Sequence, residues 1–125
     1  MKAKLRVWIT FGDDLKFGDG RARLLELIDE RGSLSKAAGA LEMSYRNAWG
    51  NQQDLERAAG FKFVERVPGR GPRSGMRLTA EGRRFLARYR TLRDAVDDTM
   101  TRRFADLFSS RSPGVRPKPA RSARH

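Results

Sequence analysis

Residues 34–59 read LSKAAGALEMSYRNAWGNQQDLERAA, and this stretch decides the fold. It contains two helical segments, 34–41 and 44–59, which only Glu42 and Met43 separate. A connection of that length is too short for antiparallel neighbours but suits two crossed helices. The stretch therefore predicts a helix-turn-helix, an arrangement that presents its second helix to a groove of DNA.

The first turn of the second helix carries the residues that we expect to read bases. Ser44 can cap this helix, because its hydroxyl can accept a hydrogen bond from a backbone N–H two or three residues later. Tyr45, Arg46 and Asn47 follow, at positions where arginine can pair with guanine and asparagine with adenine. The leading base readers are thus Arg46 and Asn47. For the two rings, Tyr45 and Trp49, an aromatic pair that only covers the domain edge is the alternative.

The opposite face of the same helix is predicted to face the core. Helical spacing places Ala48, Gln52, Leu55 and Ala59 on it. Gln52 is the polar member of this set, and a buried amide without partners costs about 1 to 3 kcal/mol. We therefore expect Gln52 to lie at the edge of the core or to donate to a neighbouring backbone group. The flanking and outward positions are Trp49, Gly50, Asn51 and Gln53.

Two further elements are predicted before this helix pair. Residues 4–18 alternate polar and apolar side chains on either side of a turn, which predicts a β-hairpin. Residues 21–31 carry a broad apolar stripe, which predicts a scaffold helix that ends at Gly32 in a left-handed cap. The helix that follows is expected to be capped by Ser35, with Ser33 as the competing cap.

Residues 61–78 predict a second hairpin with a basic tip. Strand-forming side chains such as Phe63 and Val67 flank a glycine-rich run that carries Arg70 and Arg73. Glycines let a backbone approach phosphate closely, and arginines can enter a minor groove. The hairpin is therefore predicted to be the wing of a winged helix-turn-helix, a mainly α fold of the α/β class.

A long final helix is predicted to run from a cap at Thr79 to residue 108, about 44 Å at 1.5 Å per residue. A helix of this length outgrows a small domain, so its apolar stripe is expected to pack against a second copy. The two recognition helices of such a dimer would address half-sites about 34 Å apart or a multiple of that. Packing onto the first helix of the same chain is the alternative. The expected dimer contacts are Phe85, Tyr89, Leu92, Val96, Met100, Phe104 and Leu107.

The formal net charge of +12 is concentrated in two places. Residues 62–90 hold nine Lys and Arg against Glu65 and Glu81, and residues 109–125 hold five against no acid. Charge gathered in this way suits a surface that faces phosphates, although a generally basic protein is the alternative. We expect one domain, residues 1–108, and a disordered basic tail, residues 109–125, that adds non-specific affinity for phosphates.

Composition also excludes several classes of protein. The chain has no cysteine, and its only histidine is His125, so disulfides, thiolate metal sites and cysteine catalysis are excluded. Because no constellation for acid–base or nucleophilic steps is present, we expect neither an enzyme nor a bound metal or cofactor. With no signal peptide and no long apolar run, the membrane is not expected as a partner. The expected location is the bacterial cytoplasm, at the nucleoid.

Five runs of residues resemble the N-terminal DNA-binding domain of ModE-type, molybdate-responsive transcription regulators and, more distantly, that of LysR-type regulators. They are Phe17-Gly18-Asp19-Gly20-Arg21, Gly32-Ser33-Leu34-Ser35-Lys36-Ala37-Ala38, Met43-Ser44-Tyr45-Arg46-Asn47-Ala48-Trp49, Phe63-Val64-Glu65-Arg66 and Arg77-Leu78-Thr79-Ala80-Glu81-Gly82. The resemblance implies a homodimeric repressor or activator that binds an inverted repeat in double-stranded DNA. The expected DNA contacts are Ser33, Lys36, Ser44, Tyr45, Arg46, Asn47, Trp49, Asn51, Arg66, Arg70 and Arg73.

The chain departs from this family at several positions. Family members sense molybdate through C-terminal oxyanion-binding domains, where this chain has its basic tail; we therefore expect no molybdate site and leave a separate sensor protein open. Glu42 stands where the family often has glycine, and a left-handed conformation there would cost about 1 kcal/mol. Asn47 replaces a second basic residue and Gln52 an aliphatic one, changes that concern the operator more than the fold.

Two other classes of function remain open at this point. An architectural or nucleoid-associated protein would bind DNA with little sequence preference and with a steep dependence on salt. A protein-interaction module would use the helix pair and the wing to bind a partner protein. The basic charge of residues 62–90 argues against the second class.

Overall fold

The computed structural model describes residues 1–68 and 75–109. The predicted class is confirmed, because these residues form a mainly helical winged helix-turn-helix with small hairpins and a long C-terminal helix. Residues 6–90 form one compact unit, and the other described residues belong to a second. The elements are β1 (Ile9–Phe11), β2 (Leu15–Phe17), α1 (Asp19–Arg31), α2 (Leu34–Ala40), α3 (Tyr45–Ala59), β3 (Val64–Val67), β4 (Gly75–Leu78) and α4 (Ala80–Leu107).

The N-terminal hairpin is shorter than the predicted range of 4–18. Its two strands pair antiparallel from Ile9 opposite Phe17 to Phe11 opposite Leu15. The chain enters α1 at Asp19, so no residues remain in the second strand to pair with those before Ile9. The alternation of apolar and polar side chains begins at Leu5, but the strand itself begins only at Ile9.

The two ends of α1 follow from local chemistry. The helix begins two residues before the predicted position, with Gly18 in an extended conformation as its cap and Asp19 in its first turn, where a carboxylate suits the helix dipole. It ends, as predicted, at Gly32, whose φ of 75° is left-handed and whose N–H donates to the Ile28 carbonyl. Its apolar stripe is buried and comprises Ala22, Leu24, Leu25, Leu27 and Ile28.

The cap of α2 is Ser33, and our preference for Ser35 was wrong. The Ser33 hydroxyl accepts a hydrogen bond from the Lys36 N–H at 3.0 Å. Ser35 lies inside the helix because Leu34, its first residue, is buried in the core and fixes where the helix starts. Both serines satisfy the local rule, so burial of their neighbour decides between them.

The turn between α2 and α3 is strained at Glu42. Its φ is 56°, the single positive value among the non-glycine residues in the described ranges. This confirms the left-handed conformation that the sequence raised as a possibility. Ser44 then caps α3, as predicted, by accepting from the Asn47 N–H at 3.0 Å. At the other end, Gly60 closes α3 with a φ of 84°.

The second hairpin is anchored to the helices on both sides. Its strands pair from Val64 opposite Leu78 to Val67 opposite Gly75, a narrower range than the predicted 61–78. A Glu56 carboxylate oxygen accepts from the N–H groups of Phe63, at 2.7 Å, and Val64, at 3.1 Å. The tip of the predicted wing, with Arg70 and Arg73, lies outside the described residues, as does the tail from residue 110.

An aromatic core fills the unit formed by residues 6–90. Phe17, Phe63 and Tyr89 are fully buried. The backbone of Phe63 lies close to the backbone of α4 at Gly82, because a Cβ added at Gly82 would lie only 2.9 Å from the Phe63 Cα. As predicted, the Thr79 hydroxyl caps α4, because it accepts from the Gly82 N–H at 2.9 Å.

Two of the predicted dimer contacts belong to this core instead. Tyr89 has no exposed surface, and its hydroxyl donates toward Asp19 Oδ1 at 2.8 Å and lies 3.3 Å from the Val7 carbonyl oxygen. A side chain in that position cannot touch a second copy, so its assignment to the dimer was wrong. Phe85 is partly buried and packs against the same core. Its ring contacts those of Phe11, Phe17, Phe61 and Phe63.

The later part of α4 has exposed apolar side chains. The other five predicted dimer contacts lie there and remain predictions: Leu92, Val96, Met100, Phe104 and Leu107. Leu92 is 44% exposed and Leu107 is 66% exposed. Val96, Met100 and Phe104 are partly covered.

No helix within the described ranges combines the length and the apolar character that a membrane crossing requires.

Candidate nucleic-acid interface

The first turn of α3 presents three predicted DNA contacts at the surface. The Ser44 cap orients the start of the helix, and Tyr45, Arg46 and Asn47 are all exposed. Tyr45 has 52% of its surface open to solvent although it is aromatic. The Arg46 guanidinium makes no hydrogen bond or ion pair with any residue in the described ranges. This turn is therefore available to a partner.

A basic cleft of about 690 Å³ lies beside that turn. It brings together four predicted contacts, namely Ser33, Lys36, Tyr45 and Arg66. Arg31, the last residue of α1, lines the same cleft. Lysine and arginine side chains that surround a concave surface are suited to phosphate oxygens. The basic cleft therefore suits a strand of nucleic-acid backbone next to the first turn of α3.

Sequence reasoning missed Arg31. The interpretation of residues 21–31 as scaffold used only the apolar stripe and gave no role to the basic residue at the end of the helix. A signal was nevertheless present, because Arg31 directly precedes Gly32 and Ser33, and the cap turns the chain at that point into the helix-turn-helix. A cation two residues before the predicted DNA contact Ser33 was a reason to include it.

Two predicted contacts, Trp49 and Asn51, do not line the basic cleft. Asn51 is partly buried, and its side-chain N–H donates to the Asn47 carbonyl at 3.1 Å. Its backbone carbonyl accepts from the Arg21 guanidinium at 3.0 Å. Burial lowers the pKa of Arg21. The Arg21 guanidinium also donates to the Lys16 carbonyl, so this residue connects α3 to the first hairpin. The sequence analysis did not predict this structural role. In this structure Asn51 therefore makes hydrogen bonds within its own chain.

Part of the charge in residues 62–90 is compensated by neighbouring acids. Arg77 pairs with Glu65 at 2.9 Å, and Arg90 pairs with Glu26 at 2.7 Å. Arg83 pairs with Asp29, also at 2.7 Å. The expectation that this whole segment faces phosphates was therefore too broad, since a count of charges in the sequence cannot show which arginines pair with acids in the fold.

The ion pair between Arg83 and Asp29 is also a hydrogen-bonded contact. Both guanidinium N–H groups donate to the Asp29 carboxylate, at 2.7 and 3.1 Å, and the Leu78 N–H lies 3.4 Å from it. The hydrogen bonds from Arg83 hold the pKa of Asp29 below its usual value, and the same contact raises the pKa of Arg83. The pair joins α1 to the start of α4.

Gln52 does not match its prediction. It was expected at the edge of the core or as a donor to backbone, but it is only 2% exposed, and neither Nε2 nor Oε1 has a hydrogen-bond partner. The helical face was predicted correctly, since Ala48 and Leu55 are also buried there.

As for metals, the described residues hold no group of three or more His, Asp and Glu side chains that could bind an ion.

Comparison with known sequences agrees with this geometry. Residues 20–83 match the family described as bacterial regulatory helix-turn-helix protein, lysR family. The molybdenum transport protein ModE of Azotobacter vinelandii is 40% identical over 74 residues, which is 59% of this chain and 27% of that protein. The molybdenum-pterin-binding protein MopB of Rhodobacter capsulatus is 31% identical over 81 residues, or 65% of this chain and 30% of that one. The chain thus spans less than a third of the length of these relatives.

Solved structures show the same fold with DNA. The DNA-binding domain of CbnR in complex with DNA has a TM-score of 0.52 and 25% identity, with 67% of this chain and 91% of that chain covered. Full-length CbnR with its target DNA has the same TM-score and 27% identity, with 68% and 28% covered. The resemblance to ModE-type and LysR-type regulators is confirmed by these matches. The chain belongs to the lysR family of bacterial regulatory helix-turn-helix proteins, and its helix-turn-helix is a DNA-binding domain of that type.

Proposed function

We propose that this chain is a sequence-specific transcription regulator that binds an inverted repeat in double-stranded DNA as a homodimer. The observation that carries the proposal is the first turn of α3, where Arg46 is exposed and uncommitted next to the basic cleft. The expected site of action is the bacterial cytoplasm, at the nucleoid. We propose no catalytic activity.

In the proposed complex, base reading and backbone binding are divided between two surfaces. Arg46 and Asn47 extend from the capped start of α3 into the major groove, where their side chains can pair with guanine and adenine. Lys36, together with Arg31 and Arg66 of the basic cleft, binds phosphates and fixes the register of the helix on the duplex. Phosphate contacts carry no sequence information directly, so specificity depends on the α3 turn.

The homodimer is supported by the apolar surface of α4 after residue 91. Leu92 and Leu107 are large, exposed side chains, and a cleft lined by Val96 and Met100 lies on the same helix. Removal of such apolar surface from water between two copies favours association. A two-fold dimer would explain an operator with two inverted half-sites.

The proposal is tested by selection of genomic fragments with the purified chain, at physiological salt and with excess competitor DNA. Enrichment of a two-fold inverted repeat is the expected result. Uniform recovery, or recovery of AT-rich DNA without a common motif, would contradict it and would favour an architectural DNA-binding protein. The net charge of residues 109–125, with five basic residues and no acid, is the observation that favours this second function.

The relatives named for molybdenum raise the question of a molybdate response. We propose that DNA binding by this chain does not depend on molybdate, because its family match at residues 20–83 is to the helix-turn-helix alone. Affinity for the selected operator should be the same with and without added molybdate, measured by fluorescence anisotropy with sulfate as the control anion. A change with molybdate that sulfate does not reproduce would contradict the proposal.

A further inference from the structure

Gly50 is a glycine in the middle of the recognition helix. Counted from Tyr45, it is the sixth of the 15 residues of α3, so it lies away from both helix ends. Alanine is the best helix former, and glycine is among the poorest because its backbone loses the most conformational freedom on folding. A glycine at this position therefore lowers the stability of the helix and needs a physical reason.

Two possible reasons within the folded chain do not apply to Gly50. The first is a positive φ, which among the glycines of the described residues occurs at Gly12, Gly32 and Gly60. The second is close packing, but a Cβ added at Gly50 would meet no atom of another element within 4 Å. The space that a side chain would occupy is therefore open to the surroundings.

The other helical glycines in the described ranges differ from Gly50. Gly82 lies against the backbone of Phe63, so an added Cβ would clash there. Gly20 is the second residue of α1, and Gly39 is the last but one of α2. Glycine costs most in a helix interior, so its cost at these two positions is smaller. Gly50 alone among these four combines an interior position with an open space.

Gly50 lies on the face of α3 that carries Arg46. The two residues are four positions apart, which places them on one face of the helix and about 6 Å apart along its axis. This face points away from the core, because the buried residues of α3 are Ala48, Gln52 and Leu55. Arg46 is exposed and Gly50 is partly exposed. The outer surface of α3 thus lacks a side chain one turn after Arg46.

The dimensions of DNA give this gap a consequence. An α-helix with its side chains is about 10 to 12 Å in diameter, and the major groove is about 12 Å wide and 8.5 Å deep. Because the fit is close, a single side chain on the inward face can limit how deep the helix enters. Glycine is the residue that allows a backbone to approach a ligand closely.

We propose that Gly50 is the point of closest approach between α3 and the floor of the major groove, and that its missing side chain sets the depth at which Arg46 and Asn47 meet the bases. Gly50 is thus a positioning residue that acts through these two base readers. This inference rests on the proposed function, since it requires a recognised operator. It adds that glycine at this position lowers the stability of the free helix and improves its fit to DNA.

The test uses Gly50→Ala and Gly50→Leu in the full chain, because alanine and leucine are both good helix formers and differ in size. The melting temperature of Gly50→Ala should rise by about 4 °C, since helix propensity improves and no neighbouring element obstructs the new methyl group. Its affinity for the selected operator, measured by fluorescence anisotropy, should nevertheless fall about tenfold, and that of Gly50→Leu should fall further. Affinity for a duplex of random sequence should stay within about twofold of the wild-type value, because it depends on phosphate contacts.

Gly20→Ala is the matched control. A Cβ at Gly20 would also have open space, but this residue lies on α1, so operator affinity should not change. The inference is overturned if Gly50→Ala binds the operator as the wild type does, if it loses affinity for operator and random duplexes alike, or if it melts at a lower temperature. In these cases the wild type still selects its operator, so the proposed function stands. A wild-type chain without sequence preference would contradict the proposed function, and this inference with it.

Discussion

Arg46 and Arg57 occupy opposite ends of the same helix and differ in what surrounds them. Arg57 pairs with Asp54 at 3.1 Å in the last turns of α3. Arg46, in the first turn, has no partner among the described residues, so it loses no ion pair when it binds a base edge. That difference is the physical reason to assign base reading to one arginine and not to the other.

Arg46→Ala should reduce affinity for the selected operator by about 1 to 3 kcal/mol and relax the base preference at one position of each half-site. The reason is the loss of a bidentate pair with a base. Affinities for the operator and for its single-base variants measure both effects. Arg57→Ala is the control and should change neither. If Arg46→Ala kept the wild-type affinity and preference, the assignment of the recognition turn would be wrong.

Asp29 is the residue through which pH should act on stability. Hydrogen bonds from Arg83 lower its pKa in the folded chain, so the folded state favours the charged carboxylate. The stabilisation is therefore present above the pKa of the unfolded chain, about 3.9, and is lost as the pH falls through the lower pKa of the folded state.

Asp29→Asn should lower the free energy of unfolding at neutral pH by an amount on the order of 1 kcal/mol, because the pair is partly exposed. Urea unfolding at a series of pH values measures the effect. The difference from the wild type should be constant at neutral pH and should shrink below about pH 4. Asp97→Asn, an exposed residue of α4, is the matched control and should show no such trend. A difference that is independent of pH would contradict the assignment.

Among the elements, the helix ends show what the sequence could and could not predict. The caps at Gly32, Ser44 and Thr79 were predicted correctly, because each depends on residues within one turn of it. Ser33 and Ser35 were interchanged, because both satisfy the local rule and only the burial of the intervening leucine decides. Local chemistry thus predicts that a helix ends, and packing selects the residue.

The faces of the helices were predictable, but their partners were not. Periodicity placed Gln52 and Tyr89 correctly on apolar faces. It did not show that the Gln52 amide would be without partners, nor that Tyr89 would pack against Phe17 of its own chain and not against a second copy. A period of 3.6 residues describes one surface of a helix, whereas a contact needs the three-dimensional position of another element.

The turn of the helix-turn-helix should be improved by glycine. Glu42 has a φ of 56°, and glycine occupies that region without the steric cost that other residues pay. Glu42→Gly should therefore raise the free energy of unfolding by about 1 kcal/mol. Thermal or urea unfolding measures the change, and Glu42→Ala, which keeps a Cβ, should give no gain. Equal stability of the glycine and alanine variants would show that the turn carries no strain.

At the scale of the whole molecule, net charge is a poor guide to the DNA-binding surface. Arg83 and Arg90 contribute to the +12 of the chain but are paired with Asp29 and Glu26 of α1. Arg31 and Lys36, by contrast, line the basic cleft, although both lie outside the two segments in which the net charge is concentrated. The position of a charge within the fold, and the presence of an acid beside it, decide whether it can meet a phosphate.

The proposed dimer makes a prediction about the state of the whole chain in solution. Leu92→Asp places a charge on an exposed apolar position of α4 and should convert a dimer into a monomer with unchanged helix content. Sedimentation equilibrium and circular dichroism measure the two properties. Ala105→Asp, at an exposed position on another face of α4, is the matched control and should remain dimeric. A wild-type chain that is monomeric at all concentrations would refute the dimer.

The second hairpin has only two strands, so its outer edges could offer unpaired backbone groups to a strand from another molecule. In this chain the outward N–H groups at its root are occupied. Met76 donates to the Gly32 carbonyl at 2.9 Å, Leu78 faces the Asp29 carboxylate, and Val64 donates to the Glu56 carboxylate. The N–H groups of Val64, Met76 and Leu78 are therefore not free to serve as a template for β-augmentation by another chain.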